Sequence, residues 1–233
     1  MDFLGDGFRR AWALLSAGDS EVFGIAGLTL KVAIVATIIA CAVGLPLGYF
    51  LATRRFWGRR AALTVVNTAL AFPTVVVGLL LYGLLSRQGP LGGLGWLYTW
   101  QGIVVGDVLL ALPIAAALSA AAIQGVDPRI RRTAETLGAG PWRTAWTVAH
   151  EARFALVAVI TAAFGQCVAE IGAAMIVGGN IRGSTRTLTT AVALYTSQGD
   201  FGLALALGFV LVILALLVNI VLQVLQGRGG GHA

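Results

Sequence analysis

The amino-acid sequence predicts an all-α integral membrane protein with five transmembrane helices. Hydrophobic residues make up 58% of its 233 residues, charged residues only 11%, and the mean hydropathy is +0.88. A soluble domain of this length is far less apolar. The apolar residues gather in runs of roughly 20 residues or more, the length that crosses the hydrocarbon core of a bilayer. These observations place the chain in a membrane.

The N-terminal segment, residues 1–24, is typical of a helix that lies on the membrane surface. Its apolar residues recur at helical spacing beside two arginines. These residues are Phe8, Trp12 and Leu15, with Arg9 and Arg10. The apolar run that follows is too long for a cleavable signal peptide. At the other end of the chain, residues 227–233 predict a short flexible tail.

Five apolar runs are the predicted spans: residues 25–52, 61–85, 102–123, 154–177 and 201–224. Proline removes a helical hydrogen bond. Pro46 is therefore expected to bend the first span, Pro73 stands in the middle of the second, and Pro113 is expected to interrupt the third. The stretch 183–199 is rejected as a sixth span because it is rich in threonine and contains Arg186.

The arginines predict the orientation of the chain. With the N-terminus outside, ten arginines fall on the inner side and five on the outer side. The inner set is Arg54, Arg55, Arg59, Arg60, Arg129, Arg131, Arg132, Arg143, Arg153 and Arg228, and the outer set is Arg9, Arg10, Arg87, Arg182 and Arg186. Cytoplasmic loops carry an excess of basic residues. The sequence therefore predicts an outside N-terminus and a cytoplasmic loop between the third and fourth spans.

The stretch from Asp127 to Arg153, the central segment, is the one long charged interruption between apolar runs. Asp127 and Pro128 form a helix-start signal, because the carboxylate can cap free N–H groups and proline fits the first turn. Gly138 is expected to end this helix in the left-handed conformation. Pro141 is expected to begin a second helix, which runs straight into the fourth span.

Two interpretations of the central segment are open on this pattern. It is either a basic loop that only fixes topology, or a docking element that presents a small helix to another protein. The residues expected to make the docking contact are Ala134, Glu135, Leu137, Gly138 and Ala139.

The stretch from Gly178 to Asp200, the distal segment, is the second polar region of interest. A glycine turn, two arginines among serines and threonines, and a short amphipathic helix follow one another: Gly178, Gly179, Asn180; Arg182, Arg186; Leu188, Val192, Tyr195. Within this segment no carboxylate precedes Asp200, so its donors and charges favour an anion. The alternative is an ordinary polar loop whose arginines bind lipid phosphates.

Asp107 and Glu170 are carboxylates inside predicted spans. An ionisable group at membrane depth is a functional candidate by default. We interpret both as packed against helix partners or backbone donors, with Gln166 as a candidate partner of Glu170. If they were instead paired for proton coupling, the protein would be a secondary transporter or a channel.

Several functions are excluded by what the sequence does not contain. It has no glycine-rich phosphate loop ending in Lys-Ser or Lys-Thr, so the chain is not expected to bind ATP by that route. Cys41 and Cys167 lie in apolar runs without metal-ligand spacing. No nucleophile and base stand at helical spacing, which excludes an intramembrane enzyme. The net charge of +6 comes from arginine clusters at span ends, which indicates membrane topology rather than nucleic-acid binding.

The run TAETLGAGPWRTAWTV resembles the EAA loop of membrane subunits of ATP-binding-cassette (ABC) importers. That pattern reads Glu-Ala-Ala, three residues, Gly, nine residues, Ile-x-Leu-Pro. Its second Ala, its Gly and its Ile correspond to Ala134, Gly138 and Val148. The sequence departs from the pattern at Arg132, Thr133, His150 and Glu151. The resemblance favours the docking interpretation.

The run MIVGGNIRGSTRTLTTAVALYTSQGDF, together with LLSRQGPLGGLGWLY and the first two spans, resembles the permeases of tungstate importers. These form a branch of the molybdate and sulfate permease group. The resemblance implies a homodimer in the inner membrane, two cytoplasmic ATPase subunits that hold ATP and Mg, and an extracytoplasmic binding protein that delivers the oxyanion. It also implies that ATP drives alternating access, although this chain has no ATP site.

Overall fold

The computed structural model describes residues 20–227, preceded by isolated positions at Gly5, Phe8, Arg9, Trp12, Ala13 and Ser16. Most of the predicted N-terminal interfacial segment, and the tail beyond residue 227, lie outside the described residues. One of the isolated positions touches the rest of the chain, because the ring centroids of Phe8 and Phe209 lie 5.8 Å apart.

Every regular element in the described part of the chain is helical. The α-helices are α1 (Ser20–Thr53), α2 (Arg59–Ala69), α3 (Thr74–Leu85), α4 (Trp100–Gln124), α5 (Pro128–Thr136), α6 (Pro141–Glu151), α7 (Arg153–Ala169), α8 (Gly172–Gly178), α9 (Leu188–Ser197) and α10 (Phe201–Gly227). A short 3-10 turn, Gly92–Leu94, lies between α3 and α4.

Three of these helices, α1, α4 and α10, are long and apolar enough to cross a membrane by themselves. They correspond to the first, third and fifth predicted spans. Pro46 and Pro113 lie inside α1 and α4 without ending either helix, so the expected interruption at Pro113 is wrong. Two bent helix pairs, α2 with α3 and α6 with α7, could each provide a further span. The described residues therefore contain three to five candidate spans.

The second predicted span is not one helix. α2 and α3 meet at an angle of 99°, and Pro73 stands at the start of α3 with φ −62° and ψ 122°. Proline disfavours a helical conformation in the residue before it and has no N–H to continue the hydrogen-bond ladder. The chain therefore turns sharply before Pro73.

The fourth predicted span is also interrupted. α7 ends at Ala169, Glu170 is extended with φ −70° and ψ 130°, and α8 begins at Gly172. The carboxylate of Glu170, one residue before the N-cap Ile171, accepts a hydrogen bond from the N–H of Ala173 at 2.9 Å and so satisfies a free donor in the first turn of α8. At the start of α7 the chain bends by 78° relative to α6. The central segment therefore does not run straight into the fourth span as expected.

Small residues allow α1 and α4 to pack closely. A Cβ added to Gly48 would lie 1.9 Å from Oγ of Ser119 and 2.5 Å from the carbonyl oxygen of Ala116. Gly44 is similarly close to Ala115, at 2.6 Å. Close backbone approach through small residues is the usual way in which membrane helices associate.

Both α1 and α4 run from the distal segment to the central segment. At their N-terminal ends, Glu21 is bonded to Arg182, and Ile103 lies against Gly178. At the C-terminal end of α1, the carbonyl of Thr53 accepts a hydrogen bond from Arg131. Since α4 has 25 residues, the two segments are separated by roughly 37 Å of helix.

Candidate functional site

The central segment folds as its sequence signals predict. Asp127 caps α5 by accepting a hydrogen bond from the N–H of Arg129 at 2.8 Å, and Pro128 is the first helical residue. Gly138 adopts a left-handed φ of +81°, and Pro141 begins α6. The structure therefore confirms the predicted helix, glycine turn and second helix.

Arginines hold the central segment against the C-terminal end of α1. Arg131 donates to the carbonyl of Thr53 at 3.0 Å and to the carboxylate of Glu135 at 2.9 Å. Arg59 donates to the carbonyl of Leu51 at 2.7 Å. The last carbonyls of a helix have no partner within it. Both backbone bonds therefore cap α1, and the one from Arg131 ties α5 to α1 whereas the one from Arg59 ties α2 to it. A cavity of about 460 Å³ lies beside them, partly lined by Arg55 and Arg132.

The tip of the central segment is an exposed apolar surface. The side chains of Leu137 and Trp142 are each 82% exposed, and Trp146 is exposed beside them. Among the residues predicted to dock, Glu135, Leu137 and Gly138 are exposed, whereas Ala134 and Ala139 are half-buried. The structure thus brings the predicted docking residues together at one tip. Exposed apolar surface of this kind is typical of interaction sites.

The distal segment begins with a tight turn. The hydroxyl of Thr185 donates to the carbonyl of Gly178 at 2.6 Å and accepts from the N–H of Ile181 at 2.9 Å. Gly179 has a φ of +70°, and a Cβ there would lie 2.7 Å from the ring of Tyr98. A side-chain hydrogen bond with Tyr82 raises the pKa of the Tyr98 phenol. Hydrogen bonds and packing therefore hold the predicted glycine turn in place.

Four of the five threonines of the distal segment are internal, and only Thr196 is exposed. Thr185, Thr187, Thr189 and Thr190 are all buried. Thr187 and Thr190 form a capping box at the start of α9, whose helix the sequence correctly predicted. The hydroxyl of Thr189 donates to the carbonyl of Glu170 at 2.8 Å, and the N–H of Leu188 donates to the hydroxyl of Thr29 at 2.9 Å. These bonds join α9 to α1 and to the break before α8, so the threonines do not form an exposed donor surface.

The two arginines of the distal segment share a carboxylate that the local sequence does not contain. Arg182 donates to both oxygens of Glu21, with 2.7 Å between Nε and Oε1. Arg186 lies 3.8 Å from the same carboxylate. Arg186 also donates to the side-chain and backbone oxygens of Asn180, at 3.3 and 3.4 Å. The expectation of a positive surface free of carboxylates is therefore wrong. Sequence reasoning missed Glu21 because it lies 161 residues away.

The two carboxylates inside the predicted spans have different surroundings. Glu170 is bonded to the N–H of Ala173 rather than to Gln166. Asp107 is 2% exposed, and its Oδ1 has no hydrogen-bond partner among the described residues. The backbone donor expected for Glu170 is present, whereas Oδ1 of Asp107 lacks one. In the described part of the chain, no group of three or more His, Cys, Asp or Glu residues could hold a metal ion.

Comparisons with known proteins agree with this architecture. The model of the family described as "Binding-protein-dependent transport system inner membrane component" matches residues 44–228. The chain is 39% identical over 226 residues to the tungstate uptake system permease protein TupB of Campylobacter jejuni subsp. jejuni serotype O:2, covering 97% of this chain and 95% of that protein. It is 37% identical over 226 residues to TupB of Peptoclostridium acidaminophilum, covering 97% and 99%.

Among solved structures, a chain of the MetNI methionine ABC transporter in inward-facing conformations superposes with a TM-score of 0.71. The match covers 92% of this chain and 94% of that chain at 19% sequence identity. The described helices therefore have the fold of an ABC transporter permease.

Proposed function

Because this chain belongs to the family of binding-protein-dependent transport system inner membrane components, we propose that tungstate is the cargo it carries. It is the permease subunit of an ABC oxyanion importer and a multi-pass protein of the inner membrane. Its homologues are transport components rather than enzymes, and ATP hydrolysis lies in a partner. The likeness to two tungstate permeases over nearly the whole chain carries the proposal.

The proposed assembly has two copies of this chain, each with five spans and an outside N-terminus. The excess of arginines at the central-segment side supports this orientation. The bent pair α2 and α3 provides the second span, and α7 with α8 provides the fourth. An extracytoplasmic binding protein then delivers the oxyanion at the distal-segment side, and an ATPase dimer with ATP and Mg binds the central-segment side.

We propose that the central segment couples the permease to the ATPase through Ala134, Glu135, Leu137, Gly138 and Ala139. The exposed tip supports this role, because an apolar side chain such as that of Leu137 gains free energy when a partner covers it. The hydrogen bond from Arg131 to Thr53 would pass a displacement of α5 to α1. ATP-driven closure of the ATPase pair would thereby move the spans and switch the side from which the pathway is open.

The proposed anion path begins at the distal segment with Gly178, Gly179, Asn180, Arg182 and Arg186. Guanidinium groups bind oxyanions through paired N–H donors. Asn180 supports Arg186 by accepting two of its hydrogen bonds. The glycines allow the tight turn on which these polar residues stand.

Reconstitution tests the function. The chain, its copurifying ATPase and its binding protein are incorporated into proteoliposomes, and tungstate uptake is measured with and without internal ATP. Uptake should require ATP, the ATPase and the binding protein. Parallel assays with molybdate and sulfate determine which oxyanion is preferred. Uptake by the lone chain under a proton gradient, without nucleotide, would contradict the proposal.

Proton coupling is the second candidate mechanism, because Asp107 is a buried carboxylate whose Oδ1 has no hydrogen-bond partner among the described residues. Such a mechanism needs an ionisable group, whereas a permease driven by a partner does not. Asp107→Asn and Glu170→Gln keep side-chain size and remove the titratable group. Both variants should retain ATP-driven tungstate uptake within about threefold of wild type, a difference of under 1 kcal/mol. Loss of uptake by a variant that assembles normally would favour proton coupling.

A further inference from the structure

Glu21 lies at the point where the two arginines of the proposed anion path converge. Arg182 holds both of its carboxylate oxygens, and Nη1 of Arg186 lies 3.8 Å from Oε1. The arginines belong to the distal segment, whereas Glu21 stands in the first turn of α1. One carboxylate is therefore shared by two guanidinium groups from another part of the fold.

The fork of an arginine side chain binds carboxylates and tetrahedral oxyanions by the same paired N–H donors. We propose that Arg182 and Arg186 form a binding site for a tetrahedral oxyanion dianion, and that the carboxylate of Glu21 is a tethered competitor that fills this site until the anion arrives. This inference rests on the proposed function, since it takes the cargo to pass these arginines.

Charge supports a dianion as the ligand. The two guanidinium groups carry two positive charges, of which the carboxylate of Glu21 can offset one and a dianion can offset both. The displaced carboxylate of Glu21 has a favourable place to go, because a negative charge in the first turn of a helix is stabilised by the helix dipole. The exchange therefore leaves neither charge unpaired.

The surroundings of the ion pair leave room for the exchange. A cavity of about 220 Å³ adjoins it, lined on one side by Glu21, Gly24 and Leu28 and on the other by Ser184 and Arg186. In the described part of the chain, no heavy atom would lie within 4 Å of a Cβ added to Gly24, so the described residues leave room beside this wall of the cavity.

The side chains of the two arginines differ in their exposure to solvent. The side chain of Arg186 is only 12% exposed and is held by Asn180, so it is a preplaced donor. The side chain of Arg182 is 72% exposed, so an incoming anion can reach it. Binding of the anion would then release the first turn of α1 from the distal segment.

A direct measurement of tungstate binding tests whether Glu21 competes with the anion for the two arginines. Tungstate binding to the complex of permease and ATPase in nanodiscs, without nucleotide or binding protein, is measured by equilibrium dialysis with elemental analysis. When Glu21 occupies the site for part of the time, the apparent Kd for the anion rises in proportion, because only the unoccupied fraction can bind. The rise is modest because an exposed ion pair is weak. Glu21→Gln should therefore lower the apparent Kd for tungstate about threefold to tenfold.

Two further variants make the result specific. In the Arg182→Gln background, Glu21→Gln should have no effect, because the competitor no longer has its main partner. Glu21→Asp keeps the charge but shortens the side chain, so it should lower the Kd by a smaller factor and provides a test if the Gln variant does not assemble.

The outcomes separate the two proposals. If Glu21→Gln binds tungstate no more tightly than wild type while Arg182→Gln weakens binding, the arginines bind the anion and the tethered competitor is wrong. If neither Arg182→Gln nor Arg186→Gln changes tungstate binding, the site and its competitor are both wrong. ATP-driven uptake by the intact complex would still decide the proposed function independently.

Discussion

The central and distal segments are both polar interruptions with arginines, yet they are stabilised in opposite ways. At the tip of the central segment, Leu137 and Trp142 are exposed, and no heavy atom of the described residues would lie within 4 Å of a Cβ at Gly138. In the distal segment, Thr185 and Thr190 are completely buried and their hydroxyls bond to the backbone. A region that awaits a partner leaves apolar groups uncovered, whereas a region that must hold its own shape satisfies its polar groups internally.

The sharpest test of this contrast uses two glycines with the same backbone conformation. Gly179 and Gly138 have φ values of +70° and +81°, but only Gly179 has a side chain, that of Tyr98, against its Cβ position. Gly138→Ala should lower the free energy of unfolding by about 1–2 kcal/mol, the left-handed penalty. Gly179→Ala should lower the free energy of unfolding by the same penalty plus about 1–3 kcal/mol, because the added methyl group overpacks against Tyr98.

Thermal unfolding in detergent, followed with a thiol-reactive dye, measures this difference, because Cys41 and Cys167 are both buried and free. The dye reacts when unfolding exposes the thiols. Equal losses for the two alanine variants would mean that packing around the distal turn contributes nothing.

The second test asks whether the central segment is a docking surface. Gly138→Trp adds bulk on the open side of the turn, where a Cβ would have no heavy atom of the described chain within 4 Å but would face a docked partner. Misplacement of a functional contact by about 1 Å can cost on the order of 100-fold in rate, and we expect ATP-driven uptake to fall by about that factor. Gly138→Ala is the matched control for backbone strain. Wild-type uptake by the Trp variant would contradict the docking role.

The third and smallest effect concerns the hydroxyls. Thr189→Val leaves the buried carbonyl of Glu170 without its donor and should cost about 1–3 kcal/mol of stability. Thr196→Val removes an exposed hydroxyl that bonds only within α9, to Val192, and should change stability by less than about 0.5 kcal/mol. The thiol-dye assay measures both, and similar losses would show that burial of the hydroxyls is unimportant.

Local signals made the central segment predictable. Asp127, Pro128, Gly138 and Pro141 act on their own backbone or that of residues within a turn, so each signal could be interpreted from the sequence alone. The start of α9 was predictable for the same reason. The interruption at Glu170 was not, because it lies in an otherwise apolar run and depends on the side chain accepting a hydrogen bond from the first turn of α8.

By itself, the sequence determined that the chain resides in a membrane, where along the chain its three long apolar helices lie, and to which family of permeases it belongs. Only the tertiary structure decided which polar groups are partnered and which surfaces are open. It brought Glu21 to Arg182 across 161 residues and buried the threonines that composition alone suggested were exposed. The physical reason is range: helix caps act over a few residues, whereas ion pairs and packing depend on neighbours that only the folded chain supplies.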